Sequence, residues 1–259
     1  MIKYFPCKLF LATALATPLI GSTPPARADD VVTLSAAAVR PALVELPALF
    51  EKTTGHRLKL SFGNATAIEN KVRAGEPADV VILPMPQLHS LATQMGLGMV
   101  ARTPFGLVRL GIAAKADAGK PAVTTVDEFK EALLGASSFG MPDPADGSTS
   151  STYLVKMMEE LGISAQMTPK TKLFADGTKA LEAVAKGEIA LTIAPVTSIC
   201  AVLGVVLVAP LPERLQLKTA YFAAITGDAI DSEAAHRLMT LLFSDEVAEI
   251  LMKKCIDVP

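Results

Sequence analysis

The sequence contains no tryptophan, only 3 histidines and 3 cysteines, and no excess of charge of either sign. Each shortage excludes a class of function. His56, His89 and His236 are scattered, without cysteines at ligand spacing, so no zinc pattern is present and no metal or cofactor is expected. Three cysteines cannot staple a small disulfide scaffold. Cys7 falls near the N-terminus, and Cys200 and Cys255 remain as a pair that an oxidising compartment allows to bridge if the fold brings their Cα atoms within about 7 Å. A formal charge of −2 gives no basic face for nucleic acid. No Gly-x-Ser-x-Gly elbow and no glycine-rich phosphate loop occurs, which removes the commonest hydrolase and nucleotide-binding signatures. The hydroxyl cluster at 148–152 has no histidine near it in sequence, and His89, on the helix after Pro86, reads as an ordinary surface histidine.

What is present is an apolar chain, 51% hydrophobic over 259 residues, with the composition of an α/β protein larger than one typical domain. Its first 28 residues differ in kind from the rest. Lys3 and Lys8 precede an apolar run at 9–20, and Ala26-Arg27-Ala28 fits the small-x-small cleavage rule, so residues 1–28 read as a secretory signal and the mature protein as exported. The apolar run is well short of the roughly 20 residues that span a bilayer.

From residue 31 onward strands and helices alternate. Apolar runs at 31–36, 58–62, 79–83, 137–141, 172–174 and 189–194 read as strands, each followed by a small, polar or proline-containing turn and a helical pattern. Pro47 is expected to bend the helix that carries Val39, Leu43, Leu46 and Phe50. Thr125 with Glu128 forms a capping box, and two helices near 232–243 and 245–254 close the chain. Such alternation implies parallel sheets with ligands at the ends where strands run into helix N-termini. Turns of that kind recur at Ala38, Asn64, Pro84, Ser150 and Pro195. The extended stretches at 107–114 and 217–225 are candidates for crossings between two lobes, with 29–108 plus 224–259 as one lobe and 109–223 as the other.

The most informative stretch is 141–162. Two prolines, a glycine and the hydroxyls Ser148, Thr149, Ser150, Ser151 and Thr152 precede the apolar set Leu154, Met157, Met158 and Leu161 at helical spacing. A helix that begins here has no acid in its first turn, whereas the helix at Thr125 has Asp127 and Glu128. Free N–H groups and the positive end of the dipole would favour an acid at such a place, so its absence leaves the end open to a ligand's negative charge. Capping by Ser150 or Ser151 is the competing explanation.

Residues 33–38 (Thr-Leu-Ser-Ala-Ala-Ala), 61–66 (Ser-Phe-Gly-Asn-Ala-Thr), 74–80 (Ala-Gly-Glu-Pro-Ala-Asp-Val), Pro142-Asp143-Pro144 with Tyr153, and 187–191 (Gly-Glu-Ile-Ala-Leu) resemble the periplasmic molybdate-binding proteins. These are solute receptors of ABC importers. The resemblance covers nearly all of the chain after residue 28. It implies a two-lobed α/β fold of the type II periplasmic binding protein kind, each lobe a mostly parallel sheet flanked by helices. It also implies a monomer, an importer complex as partner, and an oxyanion held by backbone N–H groups and serine hydroxyls. This sequence departs from the pattern at three positions: Ala38 and Ala65 stand where the family's binding serines fall, with Thr66 beside the second, and Pro195 stands where a tyrosine is expected. Each lost hydroxyl removes about 0.5–1.5 kcal/mol, and more toward a charged guest, which argues against tight molybdate binding.

Arg40, beside Ala38, offers a bidentate grip on a carboxylate, or else is a solvated arginine at a helix start. Arg109 reads as a structural ion-pair residue. The expected ligand contacts are Ala38, Arg40, Asn64, Ala65, Thr66, Ser148, Ser150, Ser151, Thr152, Pro195 and Thr197, around a small organic anion. The chain also resembles the branch of this family that includes aconitate isomerase, which implies as the alternative an allylic proton shift between cis- and trans-aconitate. That chemistry needs a general base, for which Asp143, Asp146 and Asp176 lie near helix starts, each equally readable as a turn or capping residue.

Overall fold

A computed structural model describes residues 1, 29–95, 100–119, 121–146, 149–230 and 232–258. Residues 2–28, where a secretory signal is expected, and Ser148 lie outside these described residues.

The first lobe begins with three parallel strands: β1 (Asp30–Ala36) lies between β2 (Arg57–Gly63) and β3 (Val80–Pro84). All five residues of β3 are buried, as its unbroken apolar run requires for a strand covered on both faces. Helices α1 (Arg40–Leu43), α2 (Leu46–Thr54), α3 (Ala65–Arg73) and α4 (Met85–Met95) connect and cover these strands. The chain does not bend at Pro47. It breaks just before it, at Val44 and Glu45, and Pro47 sits in the first turn of α2, where its missing N–H costs no helical hydrogen bond.

β4 (Val100–Lys115) is 16 residues long, roughly 50 Å at strand rise, and serves both sheets. Its first part pairs antiparallel with β9 (Lys218–Ile225), which in turn pairs antiparallel with β3. Its last part pairs antiparallel with β7 (Leu191–Pro195) and β8 (Val205–Pro210). In the second lobe, β7, β5 (Phe139–Pro142) and β6 (Thr171–Phe174) run parallel. They are flanked by α5 (Val126–Gly135), α6 (Thr149–Glu160), α7 (Ser164–Met167), α8 (Gly177–Lys186) and α9 (Val196–Ala201). α10 (Glu233–Leu242) and α11 (Asp245–Lys253) return to the first lobe, their apolar residues joining its core. The expected parallel strands are therefore real, and the two crossing segments insert into them as antiparallel members.

Two main cores follow from this arrangement, with two smaller clusters around Leu181 and Val184 beside the second. The first main core gathers Val31, Leu34, Phe50, Ile82, Phe105 and Leu238, and the second gathers Ile112, Phe129, Phe139, Leu154, Met157 and Ile193. Along β4 the change from the first core to the second falls between Val108 and Leu110. At the change, Arg109 pairs with Asp257 (Nε to Oδ2, 2.9 Å), the ion-pair role its sequence position suggested. Gly140 marks a close approach within β5, because a Cβ there would lie 2.2 Å from Ile189 Cδ1 and 2.9 Å from the Phe174 ring. Gly140→Ala is accordingly expected to cost about 1–3 kcal/mol by overpacking, measured as a drop in the denaturation midpoint at unchanged slope.

Candidate anion-binding cleft

Where the two lobes meet, a cavity of about 630 Å3 opens between the strand C-termini. Residues 36–38 and Arg40 at the end of β1, and 62–65 at the end of β2, line it from the first lobe. Thr149 and Ser150 at the start of α6, 176–178 at the start of α8, and Pro195 with Ser198 at the start of α9 line it from the second. Leu110 and Val108 of β4, Thr219 and Tyr221 of β9 and Leu217 just before it form its floor. The period-two spacing on β9 puts Thr219 and Tyr221 on one face of the strand.

Helices α3, α6 and α8 present their N-termini to this cavity, and none has an acid in its first turn. Helices α5, α10 and α11, whose starts do not line it, carry Asp127 and Glu128, Glu233, and Asp245 and Glu246 there. The starts of α2, α4 and α7 also lack an acid without lining the cavity, so the contrast seen in sequence between the Ser150 and Thr125 helices does not by itself mark the site. The starts of α3 and α6 present positive potential without a formal charge, whereas the start of α8 carries the carboxylate of its cap, Asp176.

Arg40 adds the formal charge. Its guanidinium lies over the Phe62 ring, 5.4 Å from the centroid, and it forms no ion pair among the described residues. The stacking holds the guanidinium plane at the cavity wall while leaving its N–H groups for a guest.

The candidate residues divide as follows. Ala38, Arg40, Asn64, Ala65, Ser150 and Pro195 line the cavity together. The Asn64 side chain accepts from Ala67 N at 2.7 Å, so its oxygen caps α3. Thr66 is half-buried outside the lining, Ser151 is fully buried behind it and Thr152 is exposed on the helix surface. Thr197 is buried, and its hydroxyl donates to the Ala38 carbonyl at 2.6 Å, a hydrogen bond that joins the two lobes. Among the possible bases, Asp143 accepts from Ala145 N at 3.0 Å in a turn, the side chain of Asp146 lies outside the described residues, and Asp176 caps α8 by accepting from Lys179 N at 2.9 Å while lining the cavity. Tyr153, part of the family pattern, donates instead to the Leu215 carbonyl at 2.9 Å. His89 is exposed. No cluster of three or more metal-ligating side chains occurs among the described residues.

Two placements differ from the sequence reading. The turn at Pro84 does not line the cavity: Pro84 is buried at the end of β3, beside Tyr221 of the antiparallel strand β9. The turn at 176–178 takes its place. Tyr221 itself had no sequence signal beyond its position in an apolar strand. It is 7% exposed, burial holds its phenol well above the ordinary tyrosine range, and the hydroxyl has no hydrogen-bond partner among the described residues. It therefore stays protonated at ordinary pH and is a neutral donor at the cleft floor.

The fold and this cleft define a two-lobed solute-binding protein. A family model for bacterial extracellular solute-binding proteins matches residues 31–254, and the chain belongs to that family. It is 29% identical to an aconitate isomerase from a Pseudomonas species over 249 residues, 92% of each chain. It is 25% identical to the molybdate-binding protein of Escherichia coli over 221 residues, 84% of each. The periplasmic molybdate-binding protein of Azotobacter vinelandii superimposes with a TM-score of 0.69 at 17% identity, covering 88% of this chain and 99% of that one.

Proposed function

We propose that this protein holds a small organic anion, a di- or tricarboxylate, between its lobes, with residues 29–108 and 224–259 forming one lobe and 109–223 the other. The observation that carries the proposal is Arg40, stacked on Phe62 and without an ion pair among the described residues, facing a cavity onto which the acid-free starts of α3 and α6 open. A cavity of about 630 Å3 lies in the ordinary range of roughly 300–1,000 Å3 for organic ligands. It is large for a single tetrahedral oxyanion. Two positions where the molybdate-binding pattern has serine hydroxyls hold Ala38 and Ala65, which leaves backbone donors there. In this reading the signal at 1–28 directs the chain to the periplasm, and an ABC importer receives the guest.

Calorimetry with trans-aconitate, citrate, succinate, molybdate, tungstate and sulfate tests the proposal. Carboxylates are expected to bind and molybdate to be weak. Submicromolar molybdate with silent carboxylates refutes it. Tyr221→Phe is expected to weaken the preferred carboxylate by roughly tenfold, the worth of one hydrogen bond to a charged acceptor, with little change in melting temperature.

Asp176 favours a second reading, since a carboxylate beside an anion site has a use as a base. In an aconitate isomerase, a base takes a proton from the allylic carbon of the guest, the double bond shifts, and a proton returns at the other end of the allyl unit. Arg40 and the helix N–H groups would hold the carboxylate that takes up negative charge. Appearance of cis-aconitate from trans-aconitate, lost in Asp176→Asn, supports this reading. Binding without turnover leaves the receptor.

A further inference from the structure

Cys200 and Cys255 come from opposite lobes. Cys200 lies near the end of α9, whose Thr197 is hydrogen-bonded to Ala38 across the cleft. Cys255 follows α11 by way of Lys254, whose ammonium pairs with Glu45 in the link between α1 and α2. Both side chains are exposed free thiols, and they are neighbours: burial and then the adjacent Cys255 push the Cys200 thiol up to about 12.

The backbone singles out the same residue. Cys255 N donates to Met252 O and Ile256 N to Leu251 O, the paired bonds of a helix end that normally closes on a left-handed glycine. Cys255 occupies that place with φ 60°, whereas every other left-handed residue among the described ones is glycine. A side chain that costs about 1 kcal/mol or more in backbone strain stands where glycine would be free, and it stands beside the other thiol.

We propose that Cys200 and Cys255 form a redox modification site, a dithiol that a small-molecule disulfide oxidises to a bridge tying α9 to the end of α11 and so holding the lobes together. The Cys255 thiolate attacks the oxidant, forming a mixed disulfide and releasing one thiolate. Cys200 then gives its proton to water and displaces the second thiolate as the protein bridge forms. Two protein thiols are oxidised, and one disulfide is reduced to two thiols. The extracellular setting of the family supplies an oxidising compartment. The bridge restricts lobe opening, the motion by which such clefts exchange their contents.

The inference does not depend on which guest the cleft takes, and its test needs none. The guest-free full chain is incubated with oxidised glutathione and compared with the reduced protein by thiol titration, non-reducing peptide mapping, thermal melting and small-angle scattering. The expected result is loss of both thiols in a monomer, a Cys200–Cys255 peptide, a melting temperature raised by roughly 5–15 °C and reversed by dithiothreitol, and a smaller radius of gyration than in the reduced protein. Cys200→Ser and Cys255→Ser should each take up one glutathione and show no such rise. Thiols that stay titratable, glutathione adducts without a bridge, bridges only between molecules, or equal radii in the two states would each overturn it.

Discussion

Arg40→Ala is expected to lower the affinity for a bound di- or tricarboxylate by roughly 10- to 100-fold, measured by calorimetry at fixed salt. A charge-assisted hydrogen bond contributes about 1.5–3 kcal/mol, and a tenfold change in affinity corresponds to about 1.4 kcal/mol. Among the described residues Arg40 makes no ion pair, so removing it strands no carboxylate, and the folded state loses chiefly the contact with Phe62. That contact is worth about 0.5–1 kcal/mol at an exposed site, so the melting temperature should fall by no more than about 4 °C. Arg40→Lys keeps the charge and loses the planar fork, and its affinity should lie between the two. Equal binding by all three proteins would remove Arg40 from the site and return it to the role of a solvated residue at a helix start.

Ser150→Asp is expected to separate stability from binding. In the first turn of α6 an added carboxylate meets free N–H groups and the positive dipole end, which should stabilise the helix by about 0.3–1 kcal/mol. The same carboxylate points into the cavity that Arg40 faces. Two like charges about 5 Å apart at an effective dielectric of about 20 repel by about 3 kcal/mol, so anion affinity should drop roughly 100-fold. Ser150→Asn, nearly isosteric and uncharged, should bind within a few-fold of the parent. A Ser150→Asp protein that binds its carboxylate unchanged would show that the anion is held elsewhere.

Much of the fold is legible along the chain because its determinants are local. The all-apolar run of β3, the capping box at Thr125 and the proline starts of α1 and α2 are readable from neighbours within a few residues. The site was legible in part. A strand-to-helix turn of small or polar residues and a short family motif are local features, and so Ala38, Asn64, Ala65, Ser150 and Pro195 could be singled out as candidates. Which starts share one cavity is not local. Pro84 looked like the others, yet it is buried beside β9 and does not line the cavity, and Thr66, Ser151 and Thr152 lie outside the lining as well. Tyr221 was invisible because only strand pairing brings it to the cleft floor.

The linear order of residues by itself determined the α/β alternation, the acid-free helix starts and the family resemblance, since apolar periodicity, capping chemistry and short motifs act over a few positions. Tertiary structure alone decided that α3, α6 and α8 open on one cavity, that Asp176 and Tyr221 line it, and that Cys200 and Cys255 are neighbours. Those facts depend on strands and helices far apart in sequence being brought together, chiefly by β4 and β9 passing between two separately packed cores.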